Sequence, residues 1–222
     1  MKKKNNKFIL FLNNRYPTKD SNFYLAHLEN RTTIAVDGGV RFFIKNKRIP
    51  DYLLGDFDSA PRIPRALRER TTVITHPARK NKTDSQLAVE LALANGAGEI
   101  LICGAVGCDE IDHTLGNIFL LELVSYHAEK TKSQINTRLI HPQWEIFLAK
   151  NETVSITGQP GQYLSILPLS SGVRLEFMGL SYPAPKRALI IGDTISLRNQ
   201  LIKSRARIKI NGKALIIKSD NN

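Results

Sequence analysis

Through the first half of the chain, apolar or β-branched runs at residues 8–12, 32–36, 52–54, 71–75 and 99–102 alternate with segments of helical spacing. Such alternation builds a parallel sheet with helices on both faces. In these sheets ligands bind beyond the carboxyl ends of the strands, so the chemistry is expected in the segments that directly follow the runs. Four segments stand there: DGG at 37–39, GDFDS at 55–59, RKNKTD at 79–84 and GAVGCDEID at 104–112.

GDFDS carries the plainest chemistry of the four. In extended backbone the side chains at i and i+2 leave the same face, so Asp56 and Asp58 aim their carboxylates at one point. Such a pair suits a hard divalent cation such as Mg²⁺, which takes carboxylate, phosphate and water oxygens. Thr83-Asp84-Ser85-Gln86 matches a capping box, which puts Asp84 in the first turn of the next helix, with Leu87, Leu91 and Ala92 on one face and Asn95-Gly96 as its stop. The two glycines after Asp37 let backbone approach a ligand, and the helix that follows presents N–H groups to a phosphate. Asp112 reads as the N-cap of a helix whose buried side is Leu115, Ile118, Phe119, Leu123 and Tyr126. Asp37, Asp56, Asp58, Asp84 and Asp112 thus share one edge with the cations Arg79, Lys80 and Lys82. That inventory fits a Mg²⁺-polyphosphate. Neither the P-loop pattern nor the G-x-G-x-x-G dinucleotide pattern occurs.

Charge agrees with a phosphorylated ligand: 32 Lys and Arg against 20 Asp and Glu give +12. The basic residues are scattered over the sequence and do not form a tail. Carboxylates gathered at the strand ends would repel a phosphate backbone, which argues against a nucleic-acid-binding module. Cys103 and Cys108 have no zinc-site spacing and read as a reduced pair in a cytoplasmic protein. No stretch approaches the ~20 apolar residues of a spanning helix, so no membrane partner is expected.

The motifs AVDGG (35–39), PDYLLGDFDS (50–59), KTDSQLAVE (82–90) and DHTLGN (112–117), then LSILPLS and GLSYP in the second half, stand in the order and spacing of one family. In that ordered set the chain resembles the thiamine pyrophosphokinases. The resemblance implies transfer of the β,γ-pyrophosphoryl group of ATP to the hydroxyl of thiamine, giving thiamine diphosphate and AMP. It implies Mg²⁺ on Asp56, Asp58 and Asp84, ATP against Asp37, Gly38, Gly39, Lys82, Thr83 and Asp112, and a homodimer with thiamine near the interface. It leaves the general base open among the carboxylates. Three positions depart from the family pattern. Asn81 stands where an acid is usual, the 107–112 loop is one residue longer and lacks an arginine, and the serine-asparagine-glutamate of the thiamine site becomes Arg198-Asn199-Gln200. Asn199 and Gln200 are therefore the candidate thiamine contacts. A rival reading takes D-F-D as the metal motif of a nucleotide-sugar glycosyltransferase, but leaves the KTD and DHT loops unexplained.

From residue 139 the texture changes to strands with frequent Gly and Pro. TVSIT, YLSILPL, VRLEFMG, ALIIG, TISL, ARIKI and ALIIK are expected to build an all-β sandwich, with Asn211-Gly212 as a two-residue hairpin turn. The expected layout is a Rossmann-like α/β domain over residues 1–149 with ATP and metal, then a β-sandwich over 150–222 for thiamine binding and dimerisation.

Overall fold

The computed structural model describes residues 6–57, 63–77, 81–107 and 110–219. The chain has a mixed α/β fold and divides into two compact units, Met1–Pro142 and Gln143–Asn222. The division falls ahead of Lys150 because a single strand starting at Trp144 runs straight through that position.

In the first unit β1 (Lys7–Phe11), β2 (Thr32–Val36), β3 (Tyr52–Gly55), β4 (Thr72–Thr75), β5 (Glu99–Cys103) and β6 (Asn136–His141) form a parallel sheet in the order β6-β5-β1-β2-β3-β4. The five expected strands are all present. Residues 139–141, expected to open the β-rich half, instead belong to β6 (Asn136–His141), which pairs in parallel with β5. The connecting helices are α1 (Ser21–Ala26), α2 (Val40–Lys45), α3 (Arg65–Arg68), α4 (Asp84–Ala94) and α5 (Ile111–Thr131). β1, in the sheet's interior, is buried at Phe8 to Phe11, and one face of it meets an aromatic cluster. The Phe11 ring stacks on Phe42 at 4.3 Å and meets Phe43, Tyr16 and Tyr24 edge-on or tilted.

α5 buries another face than expected, and in α4 Ala92 is buried as expected while Leu87 and Leu91 are only partly so. α4 buries Ala88, Val89, Ala92 and Leu93. α5 buries Asn117, Leu120, Leu121 and Val124 and leaves Ile111, Leu115, Phe119 and Tyr126 exposed. The helix carries apolar residues most of the way round, so spacing alone cannot select the buried side. Among the described residues no helix is long and apolar enough to cross a membrane.

The second unit is antiparallel: β7 (Trp144–Thr157), β8 (Tyr163–Pro168), β9 (Arg174–Met178), β10 (Asn199–Gln200) and β11 (Arg205–Ser219). Asn211-Gly212 is not a hairpin turn. β11 runs through it and pairs with β7 on both sides of a register shift between Ile210 and Lys213. Gly212 has φ 106° and donates its N–H to Asn151 Oδ1 at 2.7 Å, with Asn151 itself at φ 48°. The bulge is on β11, where Asn211 and Gly212 stand opposite Asn151 alone. Beyond the bulge β11 changes partner, from β9 before it to β8 after it. ALIIG and TISL are not strands either. Leu189 makes an isolated bridge to Val173, and the turn behind it is fastened by Arg187 and Asp193 at 2.6 Å. The hydrogen bonds from the Arg187 guanidinium hold the Asp193 carboxyl down to about 2.

Candidate active site

A cavity of about 880 Å³ opens in the first unit at the carboxyl edge of the parallel sheet. Its walls come from the segments after β1 (Leu12, Asn13, Asn14, Arg15), after β2 (Val36, Asp37, Arg41), at the start of α4 (Asn81 to Ser85) and around the start of α5 (Gly107, Glu110, His113, Asn117). The strand order explains the place. From β1 the chain steps to β2, β3 and β4 on one side, and from β5 it steps to β6 on the other. The crevice of such a sheet lies where the order reverses, here between β1 and β5. The two loops that flank it are tied together, because Asn14 Nδ2 donates to Gly104 O at 2.9 Å and to Val106 O at 3.0 Å. Asn117 fastens the same loop from α5 by donating to Ala105 O at 3.2 Å. Beneath them the Tyr16 hydroxyl is shared between the carbonyls of Leu12 and Cys103. Burial raises the Cys103 thiol well above its ordinary range, against the pull of Arg31, so Cys103 is a protonated packing group and not a nucleophile.

Among the expected residues, Asp37, Lys82, Thr83 and Asp84 line this cavity. Thr83 caps α4 by accepting from Gln86 N at 3.2 Å. The return half of the capping box is replaced: Gln86 Nε2 donates to Glu90 Oε1 at 3.0 Å. Lys82 Nζ also bonds both Glu90 oxygens, at 2.9 and 2.8 Å. Burial pushes the Glu90 carboxyl up, but the bonds from Lys82 and Gln86 together with the Lys82 charge outweigh it and hold it below the ordinary range.

Asp37 follows β2 with φ 45°, a left-handed conformation that Asp tolerates better than most side chains. The turn aims its carboxyl at Gly55, where a Cβ would fall on Asp37 Oδ1 and stand 2.7 Å from Asp37 Cγ. Gly55, at φ +148°, is therefore glycine for two reasons, and it delivers the chain into half-buried Asp56. Asp56 stands next to this junction but is not among the cavity-lining residues, and Asp58, Arg79 and Lys80 lie outside the described residues.

Asp112 is not the N-cap. Glu110 holds that position, with no capping bond from its side chain, and exposed Asp112 accepts from the N–H of His113 at 2.9 Å. Glu110, Asp112 and His113 bring one potential ligand atom each within 4.8 Å of one another. Gly38 and Gly39 form a 3-10 turn leading into α2 and are buried by the protein itself. A Cβ on Gly39 would fall on the carbonyl oxygen of Phe11, so this glycine serves packing against β1.

Asn199 and Gln200 belong to the second unit. Asn199 is buried, accepts from Tyr182 N and Gln200 N at 2.9 Å, and donates to Tyr182 O at 3.0 Å. It organises backbone. Exposed Arg198 has φ 52° and lays its guanidinium over the Tyr163 ring, 3.8 Å from the centroid.

Sequence reasoning passed over Asn13, Asn14, Arg15, Arg41 and Asn117. Asn13 to Arg15 had a signal, since they directly follow a strand like the four segments singled out. Asn117 had another, since it lies one turn beyond His113 at i+4 and shares its face.

The thiamin pyrophosphokinase catalytic-domain family matches residues 25–135. A thiamine pyrophosphokinase of Bacillus subtilis is 33% identical over 181 residues, covering 80% of this chain and 81% of that protein. The crystal structure of thiamine pyrophosphokinase from Bacillus subtilis superposes with a TM-score of 0.77 at 30% identity, over 97% of this chain and all of that one. The thiamin pyrophosphokinase of Candida albicans, 16% identical, has the same fold, with a TM-score of 0.80 over 98% of this chain and 90% of that one.

Proposed function

We propose a division of labour for a chain that belongs to the thiamine pyrophosphokinase family: ATP and Mg²⁺ in the cavity of the first unit, thiamine at the second. The chain is an enzyme that transfers the pyrophosphoryl group of ATP to thiamine, giving thiamine diphosphate and AMP. The observation that carries the reading is the cavity itself. Its volume lies within the roughly 300–1,000 Å³ of small-ligand sites, and it stands at the strand-order reversal with Asp37, Lys82, Thr83 and Asp84 in its walls.

Asp37, Lys82, Thr83 and Asp112 are assigned to ATP, with Gly38 and Gly39 behind Asp37 as the turn that holds it. Asp56, Asp58 and Asp84 are assigned to Mg²⁺. The donors suit the ion: hard carboxylates, Asp56 beginning where β3 ends against Asp37, and Asp84 opening α4, which packs beside β1, β2 and β3. The metal, when bound, neutralises charge on the phosphate oxygens. The protein's own task is placement, holding the thiamine hydroxyl in line with the β-phosphorus so that the new O–P bond forms as AMP leaves. Asn199 and Gln200 are assigned to thiamine in a β-sandwich unit. There the Arg198 cation is drawn onto Tyr163 instead of standing clear of the ring. The cytoplasmic assignment rests on Cys103, a free and buried thiol.

Incubating the protein with ATP, Mg²⁺ and thiamine is expected to yield AMP and thiamine diphosphate in equal amounts, read by chromatography. AMP formation without thiamine diphosphate, or neither product, would overturn the assignment. We further assign a homodimer, supported by the large apolar side chains that the second unit leaves exposed, Met178, Tyr182, Ile190, Ile191, Ile195 and Ile202. Light scattering is expected to give about twice the 24.9 kDa chain mass; a monomer at micromolar concentration refutes it.

A further inference from the structure

We propose that Arg41 is a polyphosphate-binding residue of this enzyme and that Gly38 and Asn13 are its positioning residues, an inference that rests on the assignment of ATP to the cavity. Arg41 stands in the first turn of α2 and lines the cavity with Asn13 and Asp37. Its Nη1 donates to Asn13 Oδ1 at 2.9 Å. A Cβ built on Gly38 would fall on both of these atoms, Arg41 Nη1 and Asn13 Oδ1, and stand 2.9 Å from Arg41 Cζ. The guanidinium and the amide therefore occupy the space that any other residue at position 38 would need.

Gly38 is not at positive φ, so its backbone conformation does not demand glycine. What demands it is the seat of the arginine. The neighbouring glycine provides the contrast, because a Cβ on Gly39 meets the main-chain carbonyl of Phe11 and stands 2.7 Å from its carbon. One glycine keeps the turn against β1. The other leaves the space in which the guanidinium meets Asn13.

The chemistry of that side chain fits a polyphosphate. A guanidinium presents donors in a planar fork that matches phosphate oxygens, and it stays charged at any working pH. Asn13 comes from the loop after β1, at the strand-order reversal where the crevice lies. Its neighbour Asn14 locks that loop to the one after β5. Arg41 is thus held against a fixed wall through Asn13.

The test measures binding of Mg²⁺ with a non-hydrolysable ATP analogue by calorimetry on the full chain, alongside Tm and turnover. Arg41→Ala is expected to weaken the analogue about tenfold, the size of one lost charge-assisted contact, and to raise KM for ATP while leaving KM for thiamine in place. Gly38→Ala keeps its fold, because only side-chain ends must move, and weakens binding by a similar factor. Combining it with Arg41→Ala adds nothing further, since both remove one interaction. Asn13→Ala, which introduces no clash, weakens binding severalfold. Analogue affinity unchanged in Arg41→Ala, or fully additive losses in the double variant, overturns the proposal while normal wild-type turnover leaves the pyrophosphokinase reading standing. Loss of analogue binding in Arg41→Ala, in a wild-type protein that binds the analogue but makes no thiamine diphosphate, does the reverse.

Discussion

Asp56→Asn is expected to lower thiamine diphosphate formation by at least about a hundredfold, the scale of removing one electrostatic stabiliser from a preorganised site. The substitution keeps the shape of the side chain and removes its charge. Asp56 is half-buried and directly follows Gly55, whose Cα is covered by the Asp37 carboxyl. A metal assigned to this junction loses a hard anionic ligand, and an amide oxygen is a poor replacement. Single-turnover measurement of AMP release at saturating ATP and thiamine reads the effect, with Tm checked against wild type. Activity within threefold of wild type would remove Asp56 from the metal site. Higher Mg²⁺ is expected to restore part of the rate, because a weakened site fills at higher concentration.

Phe11→Ala is expected to destabilise the protein by about 3–5 kcal/mol, as large-to-small changes at buried aromatic positions do. Phe11 is fully buried, stacks on Phe42 at 4.3 Å and touches Tyr16, Tyr24 and Phe43. Those rings come from β1, α1, α2 and the segment between β1 and α1, so no single element can close the hole. For a chain of this size that corresponds to a fall in Tm on the order of 10 °C, followed by calorimetry or circular dichroism. The effect reaches the site, because Phe11 is followed by Leu12 to Arg15 in the cavity wall, and its carbonyl is the atom against which Gly39 packs. A loss below about 1 kcal/mol would mean that this aromatic cluster is not a rigid support for the site.

Much of the site was legible because strand-end chemistry is local. The runs that became β1 to β5 are short, apolar and separated by helical segments, so alternation placed Asp37, Lys82, Thr83 and Asp84 on one edge before any strand order was known. The cap at Thr83 was legible for the same reason, being a four-residue interaction. Asp112 misled because the acid nearest a helix start is not always the cap. The helix begins at Ile111, two residues earlier than a cap at Asp112 allows. The Asn-Gly pair misled because a local turn preference was overruled by the pairing of β11 with β7 along its whole length.

By itself the sequence determined which residue types stand after each strand, since the hydrophobic period and the turn chemistry act over a few residues. Only the tertiary structure decided which of those loops meet. The order β6-β5-β1-β2-β3-β4 sets the loop after β1 beside the loop after β5, and neither loop's residues contain that information. The same holds for Gly38. In the sequence it is half of a glycine pair suited to ligand approach, and in the folded protein its missing Cβ is the space in which Asn13, 25 residues earlier by number, meets Arg41. Space of this kind is created by packing distant segments together, so it has no signature in either segment alone.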